Sequence, residues 1–156
     1  MRDNGKLLYT VEEIFSESGF LNENDKRFYK IPLYQRGYKW KKKNVRKLLE
    51  DIDGFIISDG KFYCLQNITI VPKDNCLHVV DGQQRLTTLT LVLALLGSTD
   101  LIKDKVRFPD NSIRKETNHF INDIIIDQPD LLGSEWENFI YEKPNFDHQD
   151  IYHLFL

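Results

Sequence analysis

The stretch from residue 77 to residue 89, LHVVDGQQRLTTL, constrains the fold more than any other part of this sequence. The apolar residues before Gly82 predict a β-strand, and the leucines after Arg85 recur at helical spacing as far as Gly97. Gly82 ends the strand, and the helix that follows is apolar on almost every side, which predicts that it is buried. The chain must therefore fold around a strand that leads directly into a buried helix.

A candidate phosphate-binding turn lies between these two apolar elements. The first amides of a helix have no partners within it and carry the positive end of its dipole. Gly82 has no Cβ to keep a ligand from the backbone, and Arg85 adds a cation whose shape suits phosphate oxygens. Gln83 and Gln84 can both donate and accept hydrogen bonds. Asp81 would repel a phosphate, so its expected roles are holding Mg²⁺, orienting a water molecule or fixing Arg85.

The same turn has a purely structural interpretation, in which Asp81 caps the helix and Arg85 makes a surface ion pair. A cap needs one polar residue, whereas this turn has several polar residues in succession. Spacing alone leaves both interpretations open.

A second candidate surface is the basic segment that precedes the next predicted helix. Between residues 36 and 47, seven of twelve residues are basic and none is acidic, whereas residues 116–150 contain nine acids and one base. This asymmetry predicts an anionic partner at one end of the chain only. Residues 31–40 also interleave aromatic and basic side chains, a pattern typical of segments that stack on a base while their charges contact phosphate. The candidate nucleic-acid contacts are Lys39, Lys41, Lys42 and Lys43, although a run of lysines is more often only a solvated surface.

The remaining patterns predict an α+β fold, a small mixed sheet flanked by helices and followed by a helical extension. Thr10 and Glu13 form a capping box, which predicts a short helix to about Ser18. Strands are expected at 28–33, 62–71, 77–80 and 105–108, the second and third as a hairpin. Further helices are expected at 44–56, 86–96, 112–126 and 135–141, and from 147 onward. We expect residues 1–126 to form one domain and residues 127–156 to begin an extension truncated from a longer protein.

Composition and length exclude several classes of protein. The 156 residues are 41% hydrophobic and 29% charged, which is typical of one globular domain and not of a disordered chain. The sequence has no apolar run long enough to span a membrane and no signal peptide. Its two cysteines, Cys64 and Cys76, are too few for a disulfide framework or a zinc cluster. These features predict reduced thiols and a cytoplasmic location without a membrane partner.

Three motifs in this order resemble the DGQQR family of ParB/sulfiredoxin-like domains. The motifs are IPLYQRGYKW at 31–40, LEDI at 49–52 and VVDGQQRLTTL at 79–89, and the resemblance covers about residues 8–126. Such domains form the N-terminal part of GmrSD-type modification-dependent restriction enzymes and of related phage-defence proteins. The resemblance implies a ParB/sulfiredoxin-like fold and a nucleotide-binding, NTP-hydrolysing module with regulatory function.

The resemblance also implies roles for particular residues and partners. Asp81 and Arg85 would be catalytic, with Asp81 also holding Mg²⁺. A nucleoside triphosphate would be bound by Gln35, Arg36, Asp81, Gly82, Gln83, Gln84, Arg85, Thr88 and Arg114. The full-length protein would bind DNA and act with a C-terminal His-Asn-His nuclease, in cis or in trans, which this chain does not contain. The alternative left open is a non-catalytic DNA-binding module whose turn holds a backbone phosphate instead of a nucleotide.

Overall fold

A computed structural model describes residues 6–16, 20–23, 28–55, 62–109 and 115–127. In chain order its elements are α1 (Val11–Phe15), α2 (Phe20–Glu23), β1 (Tyr29–Lys30), α3 (Lys42–Phe55), β2 (Thr69–Lys73), β3 (Cys76–Asp81), α4 (Gln83–Leu95), α5 (Thr99–Ile102), β4 (Val106–Arg107), α6 (Lys115–Asn118) and a π-helix (His119–Ile126). The helices expected at 135–141 and from 147 onward lie outside the described residues, as does the rest of the predicted extension.

The four strands form one mixed sheet in the order β2-β3-β1-β4. β2 and β3 pair antiparallel as the predicted hairpin, and β1 lies parallel to both β3 and β4. In this register Tyr29 lies opposite Leu77 on one side and Val106 on the other. The α+β fold with a small mixed sheet is therefore confirmed.

Three strands are shorter than the sequence predicts, and the smallest difference is at β4, which is Val106–Arg107 instead of 105–108. β1 ends at Lys30, because the chain turns directly afterwards and the Gln35 amide bonds the Pro32 carbonyl at 3.1 Å. β2 begins at Thr69 instead of Phe62, and Gln66 has a positive φ of 69° that interrupts an extended path. The prediction of one long strand over 62–71 was wrong because it was based on the aromatic and β-branched residues alone.

Several helices begin or end at residues other than those the sequence predicts. The capping box at Thr10 and Glu13 is present, and α1 ends at Phe15 because Ser16 is extended. α3 begins at Lys42, two residues before the predicted start, and Asn44 lies in its first turn, where its side chain accepts a hydrogen bond from the Lys41 amide at 2.9 Å. The region predicted as one α-helix up to Ile126 is described from Lys115, as α6 followed by the π-helix. Nothing in the sequence analysis predicted α5.

The core lies between α4 and one face of the sheet. Leu77 and Val79 of β3 are fully buried there, together with Leu86 of α4. Nine of the residues of α4 are buried, as its apolar sequence predicts. The core also encloses the Tyr29 hydroxyl, which donates to the Ile14 carbonyl at 2.9 Å, and burial raises the pKa of this group. No helix in the described part of the chain has the length and apolarity needed to cross a membrane.

Candidate phosphate-binding turn

The 81–85 turn connects the end of β3 to the start of α4. Gly82 is the residue that precedes the helix, with φ 90° and ψ 8°, and its carbonyl accepts the first intrahelical bond from Leu86 at 2.9 Å. No side chain caps this end of the helix within the described residues. Asp81 therefore does not act as a cap, and that part of the structural interpretation was wrong, whereas the expected ion pair of Arg85 is present, 3.8 Å from Asp81. The first amides of α4 therefore have no side-chain cap and carry the positive end of the helix dipole, and their residues Gln83 and Gln84 are buried.

Gly82 is required by its conformation and by its neighbours. Its φ of 90° lies in the left-handed region that residues with a Cβ rarely adopt. A Cβ at this position would lie 3.1 Å from the Ile68 Cα and 3.2 Å from the Asn67 carbonyl oxygen. The sequence predicts that a ligand approaches the backbone closely at Gly82. In the structure the backbone of residues 67–68 makes this close approach.

Arg85 extends from the first turn of α4 to the same backbone. Its Nη1 donates to Gln66 Oε1 at 3.1 Å, and its Nη2 donates to the Asn67 carbonyl at 2.5 Å. Nη2 also lies 3.8 Å from the carboxylate of Asp81, whose side chain is 76% exposed. The Nε atom of Arg85 is buried and has no hydrogen-bond partner among the described residues. The guanidinium is thus oriented at the turn by two hydrogen bonds, and these leave other N–H groups unused.

Gln84 holds the preceding segment against the start of α4. Its Oε1 accepts hydrogen bonds from the Lys39 amide at 2.7 Å and the Trp40 amide at 3.2 Å, and its Nε2 donates to the Gly37 carbonyl at 3.0 Å. The residue is buried, and these bonds use both ends of its side-chain amide. Gln84 is therefore a positioning residue for residues 37–40.

Two other glutamines and a threonine extend this network. The Nε2 of Gln83 donates to the Arg36 carbonyl at 2.6 Å, and the Nε2 of Gln35 donates to the Val80 carbonyl at 2.6 Å. Thr88 is buried, donates to the Gln84 carbonyl at 2.7 Å and lies 2.8 Å from the Tyr38 hydroxyl. These bonds bring Gln35 and Arg36 next to the 81–85 turn.

The lysine segment, residues 39–43, therefore starts next to the 81–85 turn in space and continues into α3. Lys41, Lys42 and Lys43 are exposed, and Lys39 is half-buried. The first turn of α3 contains no acidic residue, although the dipole of a helix favours acids there and disfavours lysines. The sequence thus concentrates cations at a place where they weaken the isolated helix.

Asp81 is the residue that the sequence assigns to Mg²⁺. Its exposed carboxylate belongs to the residue before Gly82, which precedes the uncapped end of α4. Within the described residues, no group of three His, Cys, Asp or Glu side chains is arranged to hold a metal ion. One carboxylate still fits Mg²⁺, which is usually held by one or two carboxylates together with substrate phosphates and water.

One predicted site residue is not described by the structure, and three residues that contact the site were not predicted. Arg114 lies outside the described residues, so its assignment to the nucleotide stays a prediction. Sequence reasoning missed Gln66 and Asn67, which hold Arg85, and Gly37, which bonds Gln84. The polar pair Gln66-Asn67 interrupts an otherwise strand-like run, and that interruption was the available signal. Both cysteines are free thiols, Cys64 exposed and Cys76 buried.

Comparison with known proteins identifies the family. The family model of the GmrSD restriction endonuclease, N-terminal domain, matches residues 18–152 and so covers most of the chain. No curated protein and no solved structure gives a match. The matched region includes the 81–85 turn and the lysine segment, the two features that the sequence singles out. This chain belongs to the family of GmrSD restriction endonuclease N-terminal domains.

Proposed function

We propose that this chain binds a nucleoside triphosphate at the 81–85 turn and hydrolyses it, as the regulatory module of a bacterial restriction or phage-defence enzyme. The observation that carries the proposal is the uncapped N-terminus of α4, next to which Arg85 and the exposed Asp81 lie 3.8 Å apart. Family membership supports the restriction role, since the family is named for an endonuclease. DNA and a C-terminal nuclease domain, in cis or in trans, would then be partners of the full-length protein.

The residues of the turn would act on the phosphates mainly by position and charge. Phosphoryl transfer depends on alignment of the phosphates and on neutralisation of their charge, and both are within reach of helix amides and an arginine. The first amides of α4 would donate to phosphate oxygens, and Arg85 would contact them through the Nη1 and Nη2 hydrogens that its bonds to Gln66 and Asn67 leave unused. Mg²⁺, when bound with the phosphates, would supply further charge neutralisation. Asp81 would hold it through an exposed carboxylate.

Gln83 and Gln84 have a different role in this proposal. Their side-chain donors bond the backbone of residues 36–37. They would therefore position Gln35 and Arg36 beside the nucleotide, while their backbone amides bind its phosphates. The glutamines thus connect the phosphate site to the lysine segment.

Calorimetric titration of the four nucleoside triphosphates with Mg²⁺ tests the proposal. Wild type should bind at least one of them saturably, and Arg85→Ala should weaken binding by about 10- to 100-fold, as loss of a charged hydrogen bond does. Arg85→Ala also removes the bonds to Gln66 and Asn67, so its thermal unfolding must be measured in parallel.

Asp81→Asn provides the variant that keeps the fold, because its side chain is largely exposed. It should lower affinity for the triphosphate in Mg²⁺ and abolish hydrolysis. Asp53→Asn removes the same charge from the exposed surface of α3 and should bind and hydrolyse like wild type. Absence of nucleotide binding by folded wild type would refute the proposal, as would equal affinities of Asp81→Asn and Asp53→Asn.

A second candidate function is DNA binding by Lys39, Lys41, Lys42 and Lys43, without catalysis. It is favoured by the concentration of lysines at the start of α3, where the helix dipole opposes them and a bound phosphate would offset this effect. Replacement of Lys41, Lys42 and Lys43 by Ala should lower the slope of log affinity against log salt by about 2–3 units. An unchanged slope would exclude direct phosphate contacts by these three residues.

A further inference from the structure

The sheet has a second face, opposite the core, and this face is basic. The register sets Lys30 of β1 between His78 of β3 and Arg107 of β4, so the three side chains form one row across neighbouring strands. Their neighbours in sequence, Tyr29 and Leu77 among them, point into the core. Lys30 and Arg107 are exposed, and His78 is half-buried. Neighbouring strands lie about 4.8 Å apart, so the row spans roughly 10 Å.

β2 adds another cation to this row. Val71 pairs with His78, and Lys73 lies two residues further along the same strand, so it points to the same face. Lys73 is exposed. The pKa of His78 is lowered, first by burial and then by Lys30 and Lys73, with Asp74 acting in the opposite direction. The two lysines thus produce a positive potential at the centre of the face, although the whole chain carries a net charge of −3.

This arrangement is unusual for the kind of sheet in which it occurs. Parallel strands are normally covered on both faces, yet β1 and its parallel neighbour β4 carry exposed cations on the outer face. An apolar cover would bury these charges without partners, at a high cost in free energy. A partner that covers this face must therefore be anionic.

A cleft of about 330 Å³ opens at the β4 side of the face, and Lys30, Arg107, Asn118 and Asn122 are among the residues that line it. The two asparagines bond the local backbone: Asn118 bonds both the amide and the carbonyl of Phe108, and Asn122 accepts from an amide and donates to a carbonyl. Their amides are thus occupied by the fold and are not positioned to read a base. The lysine and the arginine remain, and these are residues that contact phosphate.

We propose that this open face of the sheet binds the phosphate backbone of duplex DNA, through Lys30, Lys73 and Arg107. The row of cations is extended across the strands, which suits a line of phosphates more than one compact ligand. Asp104 lies 3.9 Å from the Arg107 guanidinium and partly offsets it, so the contact is a moderate one. The surface is separate from the 81–85 turn and does not require that a nucleotide bind there.

Fluorescence anisotropy with a duplex of about 25 base pairs, titrated between about 50 and 200 mM salt, tests the proposal. Lys30→Ala, Lys73→Ala and Arg107→Ala should each weaken binding by roughly 3- to 10-fold, and each should reduce the salt slope by about one unit. The loss should be the same for duplexes of unrelated sequence. Lys6→Ala removes one exposed positive charge that already pairs with Glu13 at 2.6 Å, and it should bind like wild type.

Three results would overturn the proposal. The three variants and Lys6→Ala could share the wild-type salt slope, which would mean that the face makes no phosphate contacts. Alternatively, Lys30→Ala and Arg107→Ala could lower affinity for a nucleoside triphosphate and leave duplex binding unchanged, which would assign the cleft to a nucleotide. Folded wild type could also fail to bind duplex at low salt. Arg85→Ala distinguishes this proposal from the previous one, since it should lose nucleotide affinity and keep the full salt slope for DNA.

Discussion

Replacement of Gln84 by Ala should destabilise the protein far more than replacement of its neighbour Gln83. The Gln84 side chain bonds two amides and one carbonyl of residues 37–40, and all three groups are part-buried. A buried group left without its partner costs about 1–3 kcal/mol, and partial burial places these three near the lower limit. The expected loss in free energy of unfolding is therefore about 3 kcal/mol. Gln83→Ala removes one bond to the Arg36 carbonyl, so its expected loss is about 1 kcal/mol.

Urea unfolding at equilibrium measures both losses directly, provided that the slope of free energy against urea is the same for all variants. Gln84→Glu is an informative comparison, because its carboxylate keeps acceptors for the Lys39 and Trp40 amides but loses the bond donated to Gly37 and sets a buried negative charge against that carbonyl. It should be less stable than wild type, and its stability should fall further as the pH rises and the carboxylate ionises. Hydrogen exchange provides a local measurement, since the two amides should lose protection selectively in Gln84→Ala. Equal losses for Gln83→Ala and Gln84→Ala, each below about 1 kcal/mol, would refute the view that Gln84 holds this segment.

Two further predictions concern backbone conformation and titration. Gly82→Ala should destabilise the protein by about 2–3 kcal/mol, because a Cβ would meet Ile68 at 3.1 Å and the φ of 90° is unfavourable for alanine. Gly54→Ala, in the last turn of α3 with no atom within 4 Å of the new Cβ, should instead stabilise it by about 0.4–1 kcal/mol. Calorimetric melting of the pair checks both signs, and a stabilising Gly82→Ala would contradict the argument. The pKa of His78 lies below its ordinary value of 6.5, so the unfolded chain takes up a proton more readily than the folded one and stability should fall as the pH drops below about 6.5. His78→Gln should reduce this pH dependence in melting experiments between about pH 7.5 and pH 5.5, and an unchanged dependence would assign it to other groups.

The parts of the fold that sequence could predict are those with strong local signals. The capping box at Thr10, the hairpin of β2 and β3, and the buried helix after Gly82 each combine a distinctive pattern with a clear end signal. Local propensity failed where long-range contacts decide the structure. Gln66 adopts a left-handed conformation next to the Arg85 guanidinium, and no property of residues 62–71 by themselves predicts that contact.

The same limit applies to the 81–85 turn. The sequence identified its residues but not which of them bond the protein's own backbone. A glutamine can contact a ligand or the protein's own backbone, and only the position of residues 36–40 decides between these. The structure assigns the side-chain donors of Gln83 and Gln84 to that backbone, so loss of a glutamine should act on the segment first and on a ligand second. Loss of Arg85 or Asp81 should act on a ligand first, because Arg85 has an unused donor and Asp81 has an exposed carboxylate. A nucleotide at this turn would therefore contact Arg85 and Asp81, while the two glutamines hold residues 36–37 in place. Replacement of either glutamine should mainly lower the stability of the protein, whereas replacement of Arg85 or Asp81 should mainly lower its affinity for a nucleotide.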